Sequence, residues 1–432
     1  MSRVIAATCA AFACLSASGS AQAHDHAILR GRLVFADHEK PQVKILDLDS
    51  GEVTHRFDVP KANPGFAGVE GGRYVVVKTG DDAGTLRILD TGLSYESHGD
   101  HTDIAKSEPK LLDLSVTGER PGHVVSGNGQ LALFFDGIRP WEGKSTARAV
   151  LLSIASLDKA EVERSEWPSP APQHGIVVPL GQNEWLMSVP NAAYAKGEDR
   201  NASSRPDGFE ILRHRNGFAR IASFDDQTRA DASCKLYHGH ASAGGQYLFG
   251  CAEGENGGVL VLSRAKNSWT ARKIAYPDQR RISAVKARDG ARYMVGNYGA
   301  TSPYDALLRI DPAAKSLSEA DVLAVPAGHG ACQFELSGSG KRLANLTPDG
   351  MLRIYEIAPA WKEIAAFEAV PGFDCAYGAK TPTPSLAVIG SNAFVSDPTS
   401  GRIREYNLDT LKQGLDMPVG GVPTNLAGSD AG

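Results

Sequence analysis

Past residue 23 the chain contains no apolar run long enough to cross a bilayer as a helix. It carries no basic cluster either, and its formal net charge of -5 argues against a nucleic-acid partner. Familiar hydrolytic signatures are missing: there is no Gly-x-Ser-x-Gly and no His-Glu-x-x-His, and Gly338-Ser339-Gly340-Lys341 lacks the long glycine spacing of a phosphate loop. Helical periodicity is absent as well, and no Pro/Ser-rich linker divides the chain. What remains is a chain of short apolar runs bounded by Gly, Asn, Asp and Pro, which are strand signals.

The first residues have the form of an export signal. Arg3 supplies a positive start, Val4 to Leu15 is apolar but too short to span a membrane, and Ala21-Gln22-Ala23 has the small-x-small form of a cleavage site. The expected division is therefore a signal peptide at 1–23, a mobile metal-binding tail at 24–30 and a single β domain at 31–428, located in the periplasm. Loss of Arg3 with the signal moves the formal charge from -5 to -6. Four cysteines remain, and in an oxidising compartment an even number implies disulfides. Cys234 and Cys251 flank one strand-turn-strand unit, whereas Cys332 and Cys375 lie one repeat apart. Those two bridges are expected, with thiolate metal ligation as the alternative.

A phrase recurs along the chain: a short strand, a Gly-rich turn, an apolar strand, then a strand ending in a Leu-Asp type corner. Copies begin near Phe66, His123, His174, Leu236, Ile282, Cys332 and Cys375. Their spacing of about 40 to 60 residues matches four strands per propeller blade. A partial copy at 32–59 lacks an inner strand, which Gly421 to Ala427 is apolar enough to supply, so that no inner edge is left unpaired. The expected fold is an all-β single β-propeller, with eight blades (seven as the alternative), closed by N- and C-terminal strands sharing one blade. The polar stretch Asn191 to Asp207 reads as a mobile loop interrupting blade 4.

His123, His174 and His238 each sit beside a glycine at the start of consecutive repeats, where innermost strands crowd around the channel. Imidazole is the commonest metal-binding side chain, and three of them aimed at one point form an ordinary zinc set once a fourth donor joins. The segment His98-Gly99-Asp100-His101-Thr102-Asp103 is expected to emerge on the same face, after an outer strand at Ser94 to Ser97. It would offer His98, Asp100, His101 or Asp103 as the remaining ligand. His329 begins a repeat across the ring and is a further candidate, while His240 is expected on the opposite side of its strand from His238. After cleavage the amino end reads His24-Asp25-His26, which can hold copper or nickel tightly and zinc as a loose pair.

These residues resemble AztD-type periplasmic zinc metallochaperones. The resemblance rests on His24-Asp25-His26 with Gly31-Arg32-Leu33, Gly99-Asp100-His101 followed by Glu108-Pro109-Lys110-Leu111-Leu112-Asp113, Pro121-Gly122-His123-Val124, Gln173-His174-Gly175, His238-Gly239, and Gly328-His329-Gly330-Ala331-Cys332. It implies a non-enzymatic β-propeller that binds Zn2+ and delivers it to the periplasmic solute-binding protein of an ABC zinc importer. Two positions depart from the family pattern: Asp103 stands where a second histidine is expected, and His240 replaces a Gly-Glu pair. A copper-binding propeller and a metal- or cofactor-dependent propeller enzyme are the rival readings. Quinone-dependent propellers use repeated tryptophan motifs and adjacent cysteines, and lactonase propellers place Glu, Asn and Asp in the channel; this chain has neither.

Overall fold

A computed structural model describes residues 29–97, 102–225, 232–266, 268–326, 330–376 and 378–429. Eight four-stranded antiparallel sheets form the blades of a propeller. The inner strand of blade 1 is the chain's last, Pro423–Gly428, paired with Arg32–Asp37 through Val34↔Ala427 and Leu33↔Gly428. That is the expected closure, which joins the two ends of the ring within one sheet. Inner strands of blades 2 to 8 follow at Gly65–Gly68, Pro121–Gly127, Val177–Gly181, His240–Ala243, Val285–Lys286, Gln333–Leu336 and Leu386–Ile389.

The burial pattern explains why these segments are strands. Middle strands such as Tyr74–Lys78 are buried on both faces because neighbouring blades cover both, so they read as continuous Val-rich runs. Outer strands such as Glu52–Asp58 alternate between exposed and half-buried positions along their length. Asx turns shape the corners. Asp47 Oδ1 accepts the Asp49 and Ser50 amides ahead of Gly51 (φ 72°), and Asp397 does the same for Thr399 and Ser400 ahead of Gly401 (φ 66°). The core consists of apolar clusters wedged between blades; one joins Ile176, Phe209, Tyr237 and Phe249 around Cys234 and Cys251.

Both expected disulfides, Cys234–Cys251 and Cys332–Cys375, are present. Cys375 lies in the link leading to Leu386–Ile389 and not at the start of that strand. No helix among the described residues is long and apolar enough to cross a membrane.

Two local expectations are corrected. Ser94 to Ser97 is not the outer strand of blade 2: Leu93–Ser97 pairs with Thr102–Lys106 in a separate hairpin, and Lys110–Val116 takes the outer position against Leu86–Asp90. Lys110–Val116 wins that place because it turns Leu112 and Val116 inward on the cluster shared with blade 3. The stretch Asn191 to Asp207 is also not all loop, since it contains a short helix. Asn191 Oδ1 caps the helix Ala192–Lys196 by accepting the Tyr194 amide, and Gly197 ends it at φ 70°. Tyr194 is buried edge-on to Trp141, at 5.6 Å between ring centroids.

Strands within a blade alternate in direction, so all inner strands start at one face, here termed the upper face. The hairpin and residue 30 belong to the lower face, where Arg30 N donates to Asp49 Oδ1 and Lys106 Nζ reaches Asp47 Oδ2 at 2.6 Å. There too, the Tyr95 hydroxyl donates to the Ser429 carbonyl at 2.8 Å.

Candidate metal centre

His123, His174 and His238 stand on the upper face of blades 3, 4 and 5. Their rings lie 4.8 Å (123 to 174), 5.5 Å (174 to 238) and 5.9 Å (123 to 238) apart. One nitrogen from each falls within 4.8 Å of the other two. In a zinc tetrahedron bound nitrogens are about 3.3 Å apart, given Zn–N bonds of about 2.0 Å, so the trio stands slightly open.

Each ring is held through Nδ1. His123 Nδ1 meets the Gly175 carbonyl at 2.8 Å, His238 Nδ1 the Ser283 carbonyl at 2.7 Å, and His174 Nδ1 the Asp136 Oδ2 at 2.8 Å. A carbonyl only accepts, so Nδ1 carries the proton in the first two rings, and Nε2 keeps its lone pair for a metal. The arrangement therefore presents Nε2 donors with fixed tautomers, the usual state of metal-ligating histidines.

The glycines beside the histidines make these contacts sterically feasible. A Cβ on Gly122 would sit 2.4 Å from Asp136 Oδ1, and one on Gly175 would sit 2.3 Å from Ser188 Oγ. Gly239 has φ +89°, and a Cβ there would meet the Ser283 carbonyl at 3.0 Å, the group that holds His238.

Burial favours neutral imidazoles. The His123 pKa is lowered to about 4, first by burial and then by charge on His174, against the pull of the Gly175 carbonyl. His238 is lowered to about 3, first by burial and then by the Arg205 guanidinium. Lys78, also lowered by burial, donates Nζ to the Gly122 carbonyl at 2.7 Å. The Asn191 to Asp207 stretch reaches this site, since the His174 amide donates to the Ser204 carbonyl at 2.7 Å.

Among the described residues no further His, Cys, Asp or Glu completes a group of potential ligands with the trio. His24, His26, His98, Asp100, His101 and His329 lie outside the described residues. Asp103 pairs with Glu96 in the hairpin rooted on the lower face, which corrects the expectation that this residue stands beside the histidines. The reason is the extra hairpin itself, because it leaves the blade between its third and fourth strands, where the chain is at the lower end. His38, His55 and His214 are each partly exposed, and His38 buries its Nδ1. Asp136, Ser283 and Lys78 were not singled out in the sequence. Asp136 follows the strand Gln130–Phe135 with no signal tying it to a histidine a blade away.

No family model matches the chain. A zinc chaperone, AztD of Citrobacter koseri, is 26% identical over 408 residues, which cover 93% of this chain and 87% of that protein. The crystal structure of C. koseri AztD superposes with a TM-score of 0.75 at 25% identity, covering 91% of this chain and 96% of its own. The apo AztD structure from the same organism gives 0.72 at 24% identity, again over 91% and 96%. The resemblance drawn from the motifs thus extends along nearly the whole chain.

Proposed function

We propose that this chain is a periplasmic zinc metallochaperone, similar in role to the C. koseri protein, for which Zn2+ is cargo and not the cofactor of a reaction. The observation that carries the reading is the convergence of three imidazoles whose Nδ1 atoms are all engaged. Similarity to a protein named a zinc chaperone supports zinc over copper. His123, His174 and His238 hold the ion, and the partner is the solute-binding protein of an ABC zinc importer. Residues 1–23 direct export and are removed.

Transfer needs a site that is tight yet open to exchange, and imidazole ligands can be protonated or displaced one at a time. The amino tail and the hairpin both leave from the lower face. A strand of six residues spans about 20 Å, close to the full reach of residues 24–29 when extended. His24, His26, His98, Asp100, His101 and Asp103 serve in this reading as a capture point that exchanges the ion, with His329 as a further donor.

Native mass spectrometry tests the function. Mature protein purified at native metal levels is expected to carry zinc and to lose it when mixed with the zinc-free solute-binding protein. Copper in place of zinc, or zinc retained in the presence of an empty acceptor, would overturn the reading.

A further inference from the structure

His240 is the imidazole that the trio does not use. It opens the inner strand His240–Ala243, two residues after His238, and the intervening Gly239 at φ +89° breaks the strict alternation of side chains. The ring packs against Phe249, its partner across the sheet, at 5.1 Å between centroids and a tilt of 37°. Its Nε2 is sealed from solvent and has no hydrogen-bond partner among the described residues. The ring is close enough to His123 for charge on His123 to be felt at His240.

A buried nitrogen with nothing to bond is costly, and nearly all such atoms in folded proteins find a partner. Zn2+ in a closed site takes four donors, and the trio supplies three. Of the other groups beside it, Lys78 is a buried amine bonded to Gly122 and Arg205 is a cation, while Asp136 is tied to His174 through Oδ2 and, in orienting that ring, leaves its own buried Oδ1 without a partner.

We propose that His240 Nε2 is the fourth protein donor to the ion held by His123, His174 and His238. This rests on the zinc reading above and adds its missing ligand. His240 stands outside the group of nitrogens lying within 4.8 Å of one another, so coordination requires a closing movement. The left-handed glycine before it and its own side-chain torsions supply that freedom. The ion then has two states. In the closed state four imidazoles surround it; in the open state His240 has withdrawn against Phe249 and an incoming ligand takes the fourth position. His240 thus acts as the first ligand to leave.

Long-range 1H–15N correlation spectra of the full chain, labelled at histidine and titrated with zinc, test this directly. At one equivalent, the Nε2 resonances of His123, His174, His238 and His240, assigned with single His→Gln variants, are expected to move together. The variant His240→Phe keeps a ring packed on Phe249 and removes the donor; its zinc affinity, measured by chelator competition, is expected to fall more than about 100-fold, beyond the loss typical of a group that only orients a ligand, with the metal-free fold unchanged. Movement of the other three resonances with His240 unmoved, or an unchanged affinity in His240→Phe, overturns the inference and leaves the zinc reading standing. If none of the four moves, both fall.

Discussion

The upper ends of blades 3 and 5 and those of blades 7, 8 and 1 solve the same structural problem with different side chains. Each inner strand must be tied to the next blade around the ring. In blade 7, Gln333 does this with its amide, donating to the Pro384 carbonyl and accepting from the Leu386 amide. In blade 8, Ser385 Oγ accepts from the Leu426 amide, and in blade 1 Asn425 donates to the Pro64 carbonyl. His123 and His238 make the equivalent ties to Gly175 and Ser283 through Nδ1. The difference is that imidazole has a second nitrogen. An amide or hydroxyl is used up by the tie, whereas a histidine makes it and still faces the axis with Nε2. On the proposed reading, a hydrogen-bonded turn residue and a metal donor are the same residue.

The strongest way to break this comparison is to remove a donor. His174→Ala is expected to weaken zinc binding by more than about 100-fold, beyond the ten- to hundredfold typical of groups that only orient a ligand. Isothermal titration would show it, and an affinity within tenfold of the parent protein would mean the ion is held elsewhere.

Acid titration separates the two halves of the ring next. His123 and His238 have pKa values depressed to about 4 and 3, so between those values and the usual 6.5 the unfolded chain binds protons that the folded one refuses. Stability of the metal-free protein is therefore full above about pH 6.5 and declines as the pH falls towards 4. Replacing both residues with Gln should flatten that decline in denaturant unfolding curves; an equally steep fall would show that other groups cause it.

Asp136→Ala probes the tie that runs backward, from blade 4 to blade 3. Zinc affinity should drop about 10- to 100-fold as His174 loses its orientation, with far-UV circular dichroism unchanged. A smaller effect is expected where the tie has no second role. Gln333→Ala should cost about 1 kcal/mol of stability and leave zinc binding untouched, whereas His123→Gln should keep most of the stability and lose the metal. Parallel denaturation and zinc titrations of the two variants would sharpen the contrast, and parallel losses in both would erase it.

Much of this architecture was legible from residue patterns. The eight repeats, the closing strand and both disulfides follow from apolar runs, turn residues and cysteine spacing. The hairpin at Leu93–Ser97 was misread because its strand length equals that of an outer strand; only the inward packing of Leu112 and Val116 shows which segment belongs to the blade. The stretch at 191–207 looked formless because it is polar, yet a capped turn of helix needs only Asn191, Gly197 and one buried tyrosine. Asp136 could not be found from the sequence, since its link to His174 exists only once two blades stand side by side.

Local pattern by itself determined the ring, its closure and the recurrence of a histidine beside a glycine at three successive strand starts, because strand periodicity and turn chemistry act over a few residues. Only the tertiary structure decided which nitrogen each imidazole offers, which carbonyls and carboxylate hold the rings, and that the hairpin carrying Asp103 springs from the other face. Those outcomes depend on the direction of each strand and on contacts between blades, and neighbouring residues along the chain carry no record of either.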